Sequence, residues 1–358
     1  MAIHLDDDLR AIPKAELHVH IEGTVTPEKC RELAAKNNIT LAPDLFTDDG
    51  SAFRYNDFFH LVTSVYDNMA QSIRTKDDYA DLTYDYLARC AGEGTVYVEM
   101  IAWCSAGKAI GLSYKDMIDG MAEGIDKAQK DHGIIGRINT TMVRHQPLED
   151  VWEEARTIAA YNHPYIVGLD VAGGEALGDL PKYQPLFNHI QKNFGRPLGM
   201  RVHAGEAQGA DNVDDALSLS PAPTRIGHGV RSIESKDTVE SLVDRNVVLE
   251  VCPTSNVLAK IYPSYADHPL RKLMDAGVKI CLNSDDPGLF GNSIGMEYQV
   301  ARDHFGFTDK ELLDATRTAI AASFAEPAVK RALLQKVDGY NPPNFPKGRG
   351  SAPSAPQP

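Results

Sequence analysis

Gly199–Glu206 reads GMRVHAGE, a short apolar run that ends on a histidine, a glycine and an acid. Lys279–Gly288, KICLNSDDPG, likewise runs from apolar residues into two adjacent carboxylates. Working outward, eight such runs follow one another: Glu16–His20, Thr95–Ala102, Gly136–Val143, Ile166–Gly173, Gly199–Glu206, Thr224–Gly229, Val247–Pro253 and Lys279–Asp285. Helical patterns lie between them, among them Lys76–Ala91, Tyr114–His132, Leu148–Ala160, Tyr183–Lys192 and Asp237–Asp244. Strand–helix alternation implies a parallel sheet. Eight units predict an α/β chain folded as a (β/α)8 barrel of the TIM type.

The 358 residues could form one large domain or two smaller ones, and the unbroken alternation favours a single barrel over 1–340. Two surpluses remain. Pro27–Ile73 is an inserted, partly helical segment after strand one; within it 56–66, NDFFHLVTSVY, reads as a buried helix or as a lid over the barrel mouth. Met296–Val337 supplies extra C-terminal helices. The segment 341–358, NPPNFPKGRGSAPSAPQP, is expected to be a disordered tail.

Lys plus Arg number 36 against 50 Asp plus Glu, a net charge of −14, which argues against a nucleic-acid surface. No apolar run is long enough to span a membrane. The acidic start has no apolar signal core, and five scattered cysteines read as reduced thiols, so the expected compartment is the cytoplasm.

Catalytic groups of such barrels come from the C-terminal ends of several strands. His18 and His20 are two apart on strand one and face the same way, a spacing that suits two ligands of one metal. His203 ends strand five, and Asp285 and Asp286 end strand eight. Adjacent carboxylates after an apolar strand repel and are costly to desolvate unless a cation is near. Three histidines and one aspartate make a mononuclear site with an open position, as catalytic zinc requires. Zinc would bring the pKa of bound water to about 7. Glu206, His228 and Asp286 then remain as acid, base and substrate anchor. The residues alone stop at attack of hydroxide on an electrophilic carbon.

At these positions the sequence closely resembles the adenosine deaminase family of the amidohydrolase superfamily. The resemblance is carried by PKAELHVHIEG (Pro13–Gly23), GLDVAGGE (Gly168–Glu175), VHAGE (Val202–Glu206), RIGHGVR (Arg225–Arg231), CPTSN (Cys252–Asn256) and NSDDPG (Asn283–Gly288), in family order. It implies that His18, His20, His203 and Asp285 ligate one zinc ion per subunit. It implies that Glu206 is the proton shuttle beside purine N1, and that His228 orients the attacking water and stabilises the oxyanion. Asp286 would meet N7, one of the two carrying a proton, and the Gly173 N–H would meet N3. Glu175 and Asp170 are expected to support their loop; Trp103, Phe58, Phe59 and Leu61 are candidates for an apolar purine pocket. The cytosine-type His/Cys/Cys signature is absent, and no lysine ends strand four to bridge a second metal.

The implied reaction is hydrolytic deamination of a small purine nucleoside, adenosine or 2′-deoxyadenosine, to the 6-oxo purine and ammonia. One departure bears on the substrate. Glu22-Gly23 stands where adenosine deaminases carry Asp-Gly beside the ribose, and Glu is common there in adenine deaminases. Ala172-Gly173-Gly174-Glu175 and Gly227 before His228 point to the adenosine type, so adenosine is the expected substrate. Adenine or a modified adenine nucleoside are the alternatives. A catalytically inactive binding protein would lack a ligand or Glu206, and none is missing. Oligomeric state is left open.

Overall fold

The computed structural model describes residues 4–56, 60–176 and 179–340. Eight parallel strands follow one another in sequence order around a nearly closed barrel: β1 Lys14–His20, β2 Thr95–Trp103, β3 Ile135–Val143, β4 Ile166–Ala172, β5 Gly199–Ala204, β6 Arg225–His228, β7 Val248–Val251 and β8 Lys279–Leu282. This is the expected TIM-type barrel. The runs past β5, β7 and β8 are loop rather than strand, because their last residues turn away to serve the mouth.

The ring closes at the mouth. Asp285 N donates to His18 O at 3.2 Å and His20 N donates to Asp285 O at 2.9 Å. Lower down, Leu17 N donates to Asn283 Oδ1 at 2.8 Å, a side chain standing in for a strand. The thinnest ladder is between β4 and β5, where only Gly168–Gly199 and Leu169–Met200 pair. Both glycines sit against the ring of Phe324, which would lie 2.6 Å and 2.1 Å from a Cβ at each. Above that plug the two strands are joined by side chains.

The helices cover the outside. Lys76–Gly92 opens with a Thr75/Asp78 capping box, and Tyr114–His132 opens on the Ser113 hydroxyl. After β1 the insertion forms a helix, Pro27–Lys36, and a π-turn, Leu61–Val65, that runs into Tyr66–Ala70. Leu61, Val65 and Met69 are buried, so this stretch packs on the core; Phe58 and Phe59 lie outside the described residues. The C-terminal surplus becomes Ile294–Phe305, Asp309–Ala322 and Pro327–Asp338, and the second of these packs across β8 and β1. The segment 341–358 lies outside the described residues. Among the described residues no helix is long and apolar enough to cross a membrane. The five cysteines are free and buried.

Candidate active site

His18, His203, His228 and Asp285 bring one ligand atom each to within 4.8 Å of one another, and His20 groups with Asp285 and Asp286 in the same way. Asp285 Oδ1 is the meeting point, 3.1 Å from His18 Nε2 and 3.4 Å from His20 Nε2. Its other oxygen accepts from Ser255 Oγ at 2.6 Å. Asp285 and His228 both hold left-handed backbones, φ 67° and 58°. Side chains other than glycine pay strain there, and such strain gathers at functional sites.

The far sides of the rings decide which histidines could take a metal. His18 Nδ1 lies 3.2 Å from Glu250 Oε2, and His203 Nδ1 lies 3.0 Å from Asp170 Oδ2. At His203 the carboxylate accepts the Nδ1 proton, so Nε2 presents a lone pair; His18 Nδ1 is shared between Glu250 and the Arg201 Nη2 donor at 3.0 Å. His203 Nε2 is buried without a hydrogen-bond partner, and His18 Nε2 faces only Asp285 Oδ1. Burial, with cationic neighbours adding to it, pulls His203 down to about 4 and His20 to about 3, so both stay neutral. His18 goes the other way. Burial and Arg201 lower it, but hydrogen bonds to Asp285 and Glu250 outweigh them and raise it. Buried imidazole nitrogens gathered on an anionic aspartate, with His20 and His203 held neutral, are what a divalent cation fits.

The carboxylates divide. Burial raises Glu206 and Asp286 well above the usual range, and the charge of Asp285 adds to both. Asp285 itself is held well below that range, because His18 and the other histidines outweigh its burial. Neighbouring carboxyl groups pushed apart in this way take separate acid and base roles. Asp286 Oδ1 has no hydrogen-bond partner, and it rests so close to Gly23 that a Cβ there would be 1.8 Å away. Glu22, one residue earlier, is buried; its carboxyl accepts from Tyr79 Oη at 3.0 Å and Tyr66 Oη at 3.3 Å. Burial pushes it up to about 7.

Gly173 has φ +91°, and a Cβ there would meet His145 Nδ1 at 2.6 Å, so its exposed N–H depends on glycine. Two residues on, the Glu175 carboxylate spans the β4–β5 gap. It accepts from the N–H groups of Glu206, Ala207 and Gln208 at 3.1, 2.8 and 2.6 Å. Glu175 thus supports a loop, as expected, whereas Asp170 holds His203 and Arg201 on β5 instead of its own loop. Trp103 points its indole N–H at Glu154 Oε1, 2.7 Å away.

Sequence reasoning missed what lies beneath the site. Asp170, Arg201, Glu250, Arg225 and Glu99 form a buried chain of ion pairs down the barrel interior, with contacts of 2.7, 2.5, 2.9 and 2.7 Å in that order. The signal was present. Arg201 lies two before His203, and Glu250 interrupts the apolar β7, so both are charges on inward strand positions. Tyr66 and Tyr79 carried no such signal, because they reach Glu22 from 44 and 57 residues away.

A family model described as Adenosine deaminase matches residues 13–340. An adenine deaminase of Rhizobium leguminosarum bv. trifolii (strain WSM2304) is 40% identical over 326 residues, covering 91% of this chain and 99% of that protein. Among solved structures, an adenine deaminase from Arthrobacter aurescens superposes with TM-score 0.82 at 30% identity, covering 92% of this chain and 98% of that one. The N6-methyl-AMP deaminase of Arabidopsis thaliana shares the fold, with TM-score 0.79 at 22% identity over 95% of this chain and 99% of that one.

Proposed function

The chain belongs to the adenosine deaminase family, and from that membership we propose that it is a metal-dependent deaminase of free adenine, yielding hypoxanthine and ammonia. The observation that carries the substrate is the Glu22 carboxyl, buried and tied to Tyr66 and Tyr79 beside Asp286. N7 and N9 share the five-membered ring of a purine. If Asp286 meets N7, the groups adjoining Asp286 border N9, where a nucleoside carries its sugar. A fixed carboxyl flanked by two phenols there stands against a sugar on N9 and favours the free base. The relatives named adenine deaminase agree with this reading. This proposal takes adenine, the alternative of the sequence reading, in place of adenosine. Gly227, read as adenosine-like, has another reason: a Cβ there would stand 2.7 Å from Arg201 Nη2 and 3.0 Å from His18 Cε1. It serves the packing of the metal cage.

His18, His20, His203 and Asp285 are the proposed ligands of one zinc ion per subunit. When bound, the ion supplies an acidified water able to attack carbon at neutral pH. The remaining work belongs to the chain. Glu206, kept protonated by burial, donates to N1 and makes C6 electrophilic. Asp286, also kept protonated, donates from its free oxygen to N7, so the side chain rather than the base carries that proton. The Gly173 N–H donates to N3. His228 faces the oxygen that adds to C6 and stabilises the charge that develops on it. The proton of the hydroxyl on C6 passes to the amino nitrogen, the C6–amino bond breaks, and ammonia leaves as C6=O forms.

The test is ammonia release from adenine, adenosine and 2′-deoxyadenosine by the purified protein, before and after chelation. Chelator-sensitive turnover of adenine, well above that of the nucleosides, is the expected result. Preferential turnover of the nucleosides would return the substrate to adenosine and leave Glu22 as a tolerated variant of the ribose contact.

A further inference from the structure

We infer that the backbone amide of Leu270 fixes the tautomer of His228, acting through two positioning residues, His268 and Asn256. Leu270 N lies 3.2 Å from His268 Nδ1. A backbone N–H only donates, so Nδ1 of His268 accepts. The proton of a neutral His268 is then on Nε2, which lies 3.1 Å from Asn256 Oδ1. This contact fixes which end of the Asn256 amide is oxygen. The other end, Nδ2, faces His228 Nδ1 at 3.3 Å and donates to it. His228 Nδ1 is thereby an acceptor, and its proton is carried on Nε2.

The relay is built to hold that polarity. His268, Asn256 and His228 are all buried. His268 sits against the rings of Tyr262 and Phe305 at 5.0 and 5.5 Å, and among the described residues no charged group shifts it. Burial draws it down to about 4, so it does not take up a second proton near neutrality. The backbone oxygen of Asn256 accepts from Ile261 N and Tyr262 N at 2.9 and 3.1 Å, which anchors the residue.

The consequence is a division of labour among the histidines. His203 donates from Nδ1 to the Asp170 carboxylate and turns a lone pair inward. His228 accepts at Nδ1 and turns an N–H inward. That N–H points between Glu206 Oε2 at 3.7 Å and Asp285 Oδ2 at 3.9 Å, both beyond hydrogen-bond length. It is a donor waiting for an oxygen that forms during the reaction. His228 therefore stands with the metal-grouped histidines without being a ligand.

The tautomer is read directly by nitrogen NMR of histidine-labelled, zinc-loaded protein, with His228 assigned through a His228→Asn control. Nε2–H on His228 is the expected result, and Nδ1–H would overturn the inference. This reading needs no substrate, so it stands whether or not adenine is turned over. The kinetic arm does rest on the deaminase reading. Asn256→Asp offers acceptors to both histidines and forces the His228 proton onto Nδ1. It should lower kcat by about 10²-fold, the effect of removing one oxyanion donor, with KM and zinc content held. A kcat within about twofold of the parent would overturn the relay. Should that variant fail to fold, His268→Met and His268→Gln decide. Met removes the donor to Asn256, Gln keeps one, and only Gln should recover most of the lost kcat. Equal losses in both would overturn the relay.

Discussion

Tyr79 Oη donates to Glu22 Oε1 across 3.0 Å, linking the helix outside the barrel to the second residue past the His-x-His strand. Shortening that side chain should open the wall it forms. Glu22→Asp should raise the ratio of adenosine to adenine kcat/KM by about tenfold or more, the scale of one methylene in a shaped pocket. Steady-state kinetics on both substrates measure it; an unchanged ratio would remove Glu22 from specificity.

Asp170 holds His203 at Nδ1. Asp170→Asn should weaken metal binding by about 10–100-fold, the usual effect of losing a carboxylate behind a ligand histidine. Competition with a chromogenic chelator reports this without reference to turnover. Unaltered affinity would show that His203 does not ligate.

Glu206→Gln should keep the metal and lose about 10²-fold or more of kcat, because an amide cannot pass a proton to N1. Metal analysis and kinetics on the same preparation check both halves. Loss of metal would make Glu206 part of the cage instead.

Glu175 grips three consecutive N–H groups at the start of the loop that carries Glu206. Glu175→Ala should lower kcat by about 10²-fold through misplacement of the proton donor, and hydrogen exchange at Glu206–Gln208 should accelerate. Exchange that speeds up while kcat holds would separate the loop from the chemistry.

Glu297 is buried, accepting from Asn292 Nδ2 at 2.7 Å and Thr254 N at 3.1 Å, and burial pushes it up to about 7 from 4.5. Between those values the folded chain holds a proton that the unfolded chain has released. Stability therefore falls as pH rises through that window, by up to about 3–4 kcal/mol. Urea unfolding at pH 5 and pH 8 should show a smaller fall for Glu297→Gln than for the parent; equal falls would assign the pH dependence elsewhere.

The sequence stated the barrel clearly because each strand is a separate local signal, and all eight expected runs became strands. The metal candidates were legible for the same reason: His18 and His20 are two apart, and Asp285 and Asp286 adjoin. What joins distant strands was not legible. The pairing of Glu250 with His18 and the reach of Tyr79 to Glu22 exist only after folding. The substrate was not legible in the same way, because a glycine signals that space is needed without saying for what. At Gly227 the space is taken by Arg201 and His18.

The ion-pair chain from Asp170 to Glu99 also governs how this protein can change over evolutionary time. Every member is fully buried, so replacing one alone strands the charge of its neighbour, a loss of about 3–5 kcal/mol. Those five positions can drift only in concert, whereas Glu22, Tyr66 and Tyr79 form a separate cluster at the mouth. New substrates are therefore within reach of single mutations, and a new metal centre is not.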